Sequence, residues 1–212
     1  MSVVALVIAL FGEHMARLCF HPELHLDAAV RKPDSLKVPR YLKVGDAVVR
    51  PIGDSYFFRL AVTNTGNAAA KEVQVVLAKV ERMVGDKPSQ VDRFTPMNLK
   101  WTHTGSTTRN TLMPDLPRVF CDFIHIGDPK TRVDCGEDLD GVAPDDAVLC
   151  LDVEATSGNK ENLLAPGTYR FDLRLVAENS RARSYTVEAW FPGKWFPEEN
   201  EMFDKGFKMR KP

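Results

Sequence analysis

The sequence lacks the motifs that mark the common classes of enzyme and metalloprotein. Its cysteines are Cys19, Cys121, Cys135 and Cys150. They include no C-x-x-C pair, which excludes the usual zinc-ribbon and thioredoxin-type spacings. There is also no G-x-S-x-G nucleophile elbow, no H-E-x-x-H zinc helix and no Gly-rich phosphate loop. These absences predict a protein that is not an enzyme and that uses no cofactor and no metal.

Net charge is almost absent as well. Lys and Arg number 28 against 29 Asp and Glu, which gives a formal net charge of −1. A balanced charge provides no bulk attraction to a phosphate backbone, so we expect no binding of nucleic acid. The chain has 212 residues, 44% of them hydrophobic, which argues against both intrinsic disorder and a multi-span membrane protein.

The longest apolar run is short and lies at the N-terminus, at residues 2–11 (SVVALVIALF). No Lys or Arg precedes it and no A-x-A-like site follows it, so it is not a typical signal peptide. It is also shorter than the roughly 20 residues of a complete membrane span. Three interpretations stay open: the second half of a span that begins upstream, a helix in the membrane interface, or a helix packed on the domain.

Residues 3–11 are apolar all round, whereas a packed helix usually carries a polar stripe along its whole length. We therefore predict a membrane-associated helix over residues 1–20. Basic residues from Arg17 to Lys43 follow the run, and the positive-inside tendency then predicts a membrane-anchored protein with its folded domain in the cytoplasm. The expected membrane-contacting residues are Val3, Val4, Leu6, Val7, Ile8, Leu10 and Phe11.

The body of the chain, residues 21–192, has the pattern of β-strands. Apolar residues alternate with others in the run 56–63 (YFFRLAVT), as in a half-buried strand. The runs 169–175 and 185–191 alternate in the same way on either side of a polar turn, which predicts a hairpin. Other strands are predicted at 24–28, 47–50, 72–80, 97–101, 119–126 and 147–153. Short strands without intervening helices predict an all-β, antiparallel β-sandwich.

Two motifs resemble a known family. Residues 58–75 (FRLAVTNTGNAAAKEVQV) are similar to the V-x-N-x-G, small residue, V-x-V pattern of bacterial immunoglobulin-like modules of the CARDB (cell-adhesion-related) kind. Residues 164–169 (LAPGTY) resemble the L-x-P-G-x-Y start of a late strand in such sandwiches. The resemblance implies an immunoglobulin-like fold, a change of sheet after the Asn-x-Gly turn, and a binding or scaffolding role, commonly outside the cell. It also fits a tyrosine corner at Tyr169.

The C-terminal tail, residues 193–212, mixes aromatic and charged residues. Pro197 followed by Glu198 and Glu199 predicts the start of a short helix. Its aromatic side chains either pack on the sandwich or contact a peptide or a lipid headgroup. The candidate partner-binding residues are Trp195, Phe196, Phe203 and Phe207.

Three further groups of residues contain side chains that could form a site. The acidic stretch 134–141 (DCGEDLDG) lacks the spacing of a calcium loop, so we expect a solvated loop. His125 is expected to be a satisfied strand histidine, and Cys121 lies about 13 Å away along the same strand. Cys121 and Cys150 are expected to be small buried hydrophobes, since a disulfide between them requires an oxidising compartment.

The sequence thus predicts a non-enzymatic, membrane-tethered β-sandwich that binds an unidentified protein partner or supports an assembly. The alternative is an extracytoplasmic adhesion or carbohydrate-binding module, which predicts an oxidised Cys121–Cys150 pair and a line of exposed aromatic residues. A third hypothesis is an enzyme assembled from Asp122, His103 and His125.

Overall fold

The computed structural model describes residues 20–44, 47–85, 87–91, 94–155, 158 and 160–211, without the side chains of residues 42–49. The predicted membrane-associated helix lies outside these ranges except for Phe20, and so do its expected lipid contacts from Val3 to Phe11. In the part of the chain that is described, no helix is long and apolar enough to cross a membrane.

Two antiparallel sheets of seven strands each form a β-sandwich, as the alternation of apolar residues predicts. The first sheet contains β1 (Leu24–Ala28), β2 (Ser35–Val44), β3 (Ala47–Asn64), β7 (Lys100–Trp101), β9 (Val119–Gly127), β10 (Leu149–Leu151) and β11 (Leu163–Leu164). The second contains β4 (Ala70–Val84), β5 (Lys87–Gln90), β6 (Met97–Asn98), β8 (Arg109–Leu112), β12 (Gly167–Ala177), β13 (Ser180–Phe191) and β14 (Lys208–Arg210).

The four longest strands, β3, β4, β12 and β13, each have a partner strand on both sides. The first sheet has the order β1-β3-β9-β10-β11, with β2 beside β3 and β7 beside β9. The second has the order β14-β13-β12-β4-β5, with β6 and β8 beside β4. Among the described residues, helical structure consists of a 3₁₀ turn (Pro129–Thr131), a short helix α1 (Glu199–Glu201) and a π-helical turn (Met202–Gly206).

The alternating residues of β3 fill the space between the sheets. Tyr56, Phe58 and Leu60 are fully buried there, as their spacing predicts. Phe123 of β9 meets Phe171 of β12 across the core, with their ring centroids 5.1 Å apart in an edge-to-face arrangement. Burial of one apolar face from each sheet is the main stabilising contribution, at about 25 cal/mol per Å² of apolar surface removed from water.

The predicted strand 72–80 has an irregular apolar pattern, which indicates either a bulge or a strand buried on both faces. In the register of β4 with β12, Ala78 is an extra residue between Leu77 and Lys79. This β-bulge turns Val80 into the core on the same side as Leu77. The bulge is therefore the correct interpretation.

The Asn-x-Gly turn after β3 carries the chain from the first sheet to the second. The Asn64 side chain holds the turn, because its Oδ1 accepts hydrogen bonds from the backbone N–H groups of Gly66 and Glu23, and its Nδ2 donates to the Leu112 carbonyl. A Cβ on Gly66 would lie 2.4 Å from the His21 carbonyl oxygen, so only glycine fits. The change of sheet that the family resemblance implies is present.

The strand directions distinguish the two ends of the sandwich. The end that holds Phe20 and the turn after β3 is called the near end. In that turn, the Asn67 backbone N–H donates to the His21 carbonyl. The far end is the opposite one. It holds the β2–β3 and β4–β5 hairpins, because β3 runs towards the near end and β4 runs away from it.

The sequence prediction misses β2, β5, β8, β11 and β14, and two of these show the reason. β2 contains Pro39 among charged residues. Proline has no backbone N–H, and it is tolerated at a sheet edge because no strand lies on the outer side to accept a hydrogen bond from it. The C-terminal tail forms the predicted short helical segment, but β14 then adds to the edge of the second sheet beside β13. Both strands lie at sheet edges. Edge strands bury less apolar surface, so their sequences show only a weak alternation of apolar residues.

Tyr169 forms the predicted tyrosine corner. Its ring is 2% exposed and its hydroxyl donates a 2.6 Å hydrogen bond to the carbonyl of Ala165, four residues upstream. The bond fixes the chain where it passes from β11 to β12, and therefore from one sheet to the other.

We expect Tyr169→Phe to lower the free energy of unfolding by about 1–2 kcal/mol, because the half-buried Ala165 carbonyl loses its donor. Chemical denaturation measures this value. The matched control is Tyr41→Phe at a side chain that is 49% exposed, for which a change within about 0.5 kcal/mol is expected. Equal effects of the two substitutions would contradict the role of the corner.

Candidate functional site

A cluster of polar side chains lies on the outer face of the first sheet. β9 and β10 pair so that His125 and Cys150 are direct neighbours, and β3 places Phe57 on the other side of His125. Side chains alternate between the two faces of a strand. These three therefore point away from the core, into which Ile126 and Leu149 project.

The connection between β9 and β10 folds back over this outer face, and we call its residues 128–146 the covering segment. Arg132 holds the segment together, because its Nη1 donates to the carbonyls of Ala143 and Asp146 at 3.0 and 2.8 Å. A small apolar cluster under the segment consists of Val148, Cys150 and Leu163, with Leu139 and Val142 packed against them. The first sheet is therefore covered on both faces here.

His125 is the centre of the cluster. Its Nδ1 lies 2.9 Å from Oδ1 of Asp152, and its Nε2 lies 3.1 Å from Oε1 of Glu137. The imidazole also stacks on the ring of Phe57, with centroids 5.3 Å apart. Asp152 follows β10, whereas Glu137 belongs to the covering segment, so the ring connects the sheet to the segment above it.

The two carboxylates favour the charged form of the ring. Burial lowers the pKa of His125, but the carboxylate of Asp152 and the neighbouring Cys150 raise it, and the result is a pKa well above the ordinary value. An imidazolium is a hydrogen-bond donor at both nitrogens. His125 thus donates to Asp152 and to Glu137 at the same time, as a satisfied strand histidine should.

Glu137 has a second cationic partner in Arg40 of β2, whose Nη1 donates to Oε1. Burial raises the pKa of Glu137, but the hydrogen bond and charge of His125 and the charge of Arg40 lower it below the ordinary value. The Glu137 side chain is only 7% exposed. The expectation of a solvated loop over residues 134–141 is therefore wrong for this residue, because it anchors the covering segment to the sheet.

Cys150 is fully buried next to His125. Burial raises the pKa of the Cys150 thiol, although the charge of His125 opposes the shift. Its Sγ approaches the carbonyl of Val148 at 3.9 Å, as a weak S–H donor does. The group is a thiol at neutral pH, and Cys121 is likewise a buried free thiol, in the core between the sheets.

The composition of the cluster suggests two kinds of chemistry. Cys150, His125 and Asp152 are the residue types of a nucleophilic triad, but both nitrogens of His125 are engaged by carboxylates. Burial also raises the pKa of the Cys150 thiol, although the neighbouring His125 opposes that shift. The second kind is metal coordination, since His125, Glu137 and Cys150 offer a nitrogen, an oxygen and a sulfur within 4.8 Å of one another.

In the described part of the chain, no hydrogen bond or ion pair joins the three residues of the hypothetical enzyme to one another. Asp122 is partly buried on β9 and accepts a 2.6 Å hydrogen bond from Oγ1 of Thr102, and burial raises the pKa of its carboxyl group. His103 is exposed in the turn after β7, with a φ of 73°. His125 directs its ring to Asp152 and Glu137 instead of Asp122.

The aromatic residues of the C-terminal tail are core neighbours. Phe207 is fully buried with its ring centroid 4.2 Å from that of Phe58, and Trp195 lies 4.8 Å from Tyr56. Phe196 and Phe203 are partly buried against the same core. The packing expected of this tail is present, and a role of these residues in partner binding stays a prediction.

The sequence contains little signal for this site. His125 and Cys150 occupy outward positions of half-polar strands, and Glu137 comes from a loop without strand or helix periodicity. The three donors are separated by 12 and 13 residues, as the numbering shows, which matches no metal motif. Only the fold brings them together.

Comparisons with known proteins give no further guide to the site. No family model, no curated protein and no solved structure matches this chain.

We expect Glu137→Gln to lower the free energy of unfolding by about 2–3 kcal/mol, because Arg40 and His125 lose a buried countercharge. The control is Asp134→Asn in the same segment, where an exposed carboxylate pairs with Arg50 at 3.6 Å. That change should stay within about 0.5 kcal/mol. Urea denaturation of both variants at one pH measures the difference, and a similar loss in the two would show that the buried pair is not a special contact.

Proposed function

We propose that this protein is a non-enzymatic β-sandwich, tethered to a membrane through the residues before Phe20, that binds a protein partner at the far end. The observation that carries the proposal is the location of its exposed apolar side chains. In the described part of the chain these are Phe20, Tyr41, Val84, Met113, Leu116, Val133 and Trp190. All of them lie towards one end of the sandwich or the other.

Three of these side chains lie at the near end. Phe20 is 64% exposed, Met113 50% and Leu116 42%. The bond from Asn64 to the Leu112 carbonyl fixes the start of the β8–β9 connection beside the turn after β3, and the Asn67 bond holds His21 there. These residues give the near end an apolar surface where the chain joins the run at residues 2–11, which supports a position against the membrane.

The other exposed apolar side chains lie towards the far end. Val84 is at the β4–β5 hairpin and Trp190 is next to the last residue of β13. Tyr41 belongs to β2, and Val133, at 76% exposed, belongs to the covering segment. A tether at the near end directs this end away from the membrane, where several connections can contact a partner together.

The chemistry of the described residues also supports binding over catalysis. Both nitrogens of His125 are engaged, and the thiols of Cys121 and Cys150 are buried with raised pKa values. A nucleophile needs an accessible, activated thiolate or hydroxyl. The free state of these cysteines agrees with a cytoplasmic domain.

No observation favours the adhesion or carbohydrate-binding alternative. Cys121 belongs to the core between the sheets and Cys150 to the cluster under the covering segment, and both are free. The exposed aromatic residues of the described chain, Phe20, Tyr41 and Trp190, lie on three separate elements and form no line. The tyrosine corner and the change of sheet after Asn64 support the immunoglobulin-like, CARDB-type assignment, which remains part of this proposal.

The proposal is tested by placing a photo-crosslinking residue at one of three positions in the full chain, expressed in its native host. The positions are Met113 at the near end, Val84 at the far end, and Arg174, which is exposed on the outer face of the second sheet. We expect lipid adducts from Met113 in the membrane fraction, one defined protein adduct from Val84, and neither from Arg174.

The control for the far end combines Val84→Lys with a photo-crosslinking residue at Trp190. Val84→Lys should abolish the protein adduct of that probe without lowering the midpoint temperature of thermal unfolding. An adduct pattern that is the same at Arg174 and Val84 would refute the far-end site. A chain found only in the soluble fraction, with no lipid adduct at Met113, would refute the tether.

A further inference from the structure

We propose that His125, Glu137 and Cys150 bind one divalent transition-metal ion, zinc being the best match, through Nε2, an Oε atom and Sγ. The proposal for this site does not depend on the partner surface proposed above.

The donor types fit zinc. Zn²⁺ takes nitrogen, sulfur and carboxylate oxygen ligands with bonds of about 2.0–2.3 Å. Tetrahedral geometry then places the ligand atoms roughly 3.3–3.8 Å apart. The three donor atoms here lie within 4.8 Å of one another, with Nε2 and Oε1 at 3.1 Å. Small side-chain adjustments are enough to bring all three to bonding distance.

Two of the donors are held by the sheet. Cys150 and His125 face each other across the β9–β10 pair, so their positions are fixed by the backbone ladder. Glu137 is held by the covering segment, where its own backbone N–H donates to the Arg132 carbonyl at 2.9 Å. A site on paired strands is more rigid than one built on loops, which favours metal binding.

Asp152 has the position of a supporting residue. It contacts Nδ1 of His125 and leaves Nε2 directed towards Glu137. Metal-binding histidines almost always donate their other ring nitrogen to a carboxylate or carbonyl, which fixes the ring and increases its basicity. The stacked Phe57 restricts the ring further. Asp152 is thus a positioning residue and not a ligand.

The charges of the cluster also fit a divalent ion. On binding, Nε2 of the imidazolium and Sγ of the thiol each lose a proton to solvent, and one doubly charged ion enters, so the net charge is unchanged. Coordination deprotonates a thiol outright. Arg40 can keep its contact with Glu137, because a carboxylate has lone pairs to spare for a second partner. No buried charge is left without a countercharge.

Three protein ligands leave the fourth tetrahedral position for a water molecule. The ion would connect β9, β10 and the covering segment. His125 and its neighbour Cys150 already bring these three elements together. Its main effect would be to stabilise the covering segment on the sheet, since metal binding to the native state adds to folding stability.

The test uses the untagged full chain in mild detergent, stripped with a chelator and titrated with Co²⁺ and then Zn²⁺. A Co²⁺–thiolate site gives a near-ultraviolet charge-transfer absorption that Zn²⁺ displaces. We expect this absorption with one ion per chain in the parent protein and in the control variants Cys19→Ser and Cys135→Ser. We expect none in Cys150→Ser or Cys150→Ala.

Two further variants separate ligand from supporting residue. His125→Ala should lose the absorption, whereas Asp152→Asn should keep it with a 10- to 100-fold weaker affinity. Circular dichroism identifies variants that remain folded. The proposal is overturned if the parent protein shows no charge-transfer absorption, or if Cys135→Ser removes it while Cys150→Ser retains it.

Discussion

The constraint on which the outer cluster depends is that the first sheet is covered on both faces. One face packs on the second sheet, and the other is covered towards the far end by residues 128–146. An outward polar side chain of β9 or β10 is therefore shielded from water and cannot hydrogen-bond to it there. A buried polar group without a hydrogen-bond partner costs free energy. The pairing of His125 with two carboxylates, and of Glu137 with two cations, follows from this constraint.

The same rule applies further along the sheet. Arg59 on β3 is 7% exposed, and its guanidinium lies 4.5 Å from the centroid of the Phe120 ring while Nε donates to the Asp34 carbonyl. Asp34 in turn accepts a hydrogen bond from Arg118 at 2.9 Å. Arg59, Asp34 and Arg118 thus pair with one another on the outer face, whereas the inner face of the same strands is filled by apolar residues.

The sequence predicts the inner face well and the outer face poorly. Alternation identified β3, β12 and β13, and a local motif identified the tyrosine corner, because these features depend on neighbours in sequence or on burial of one face. β2 and β14 were missed because edge strands bury less apolar surface. The cluster around His125 was missed because Glu137 and Cys150 meet it through a long connection whose path no local pattern encodes.

The ends and the outer face have different roles in this account. The near end joins the apolar N-terminal run, the far end carries exposed apolar side chains on separate connections, and the outer cluster fixes one of those connections, the covering segment with Val133. A cluster that fixes this segment also fixes part of the surface at the far end. The contacts of His125 and Glu137 under the covering segment therefore help to hold the proposed binding surface in place.

The most direct test of this account is hydrogen exchange of the full chain, followed by mass spectrometry of peptides from the covering segment. The backbone N–H groups of Cys135 and Glu137 are hydrogen-bonded within the segment, and we predict exchange nearly as slow as that of β9. Glu137→Gln should speed exchange there and leave β12 and β13 unchanged. Exchange in the parent protein as fast as that of the exposed strand β5 would contradict the account.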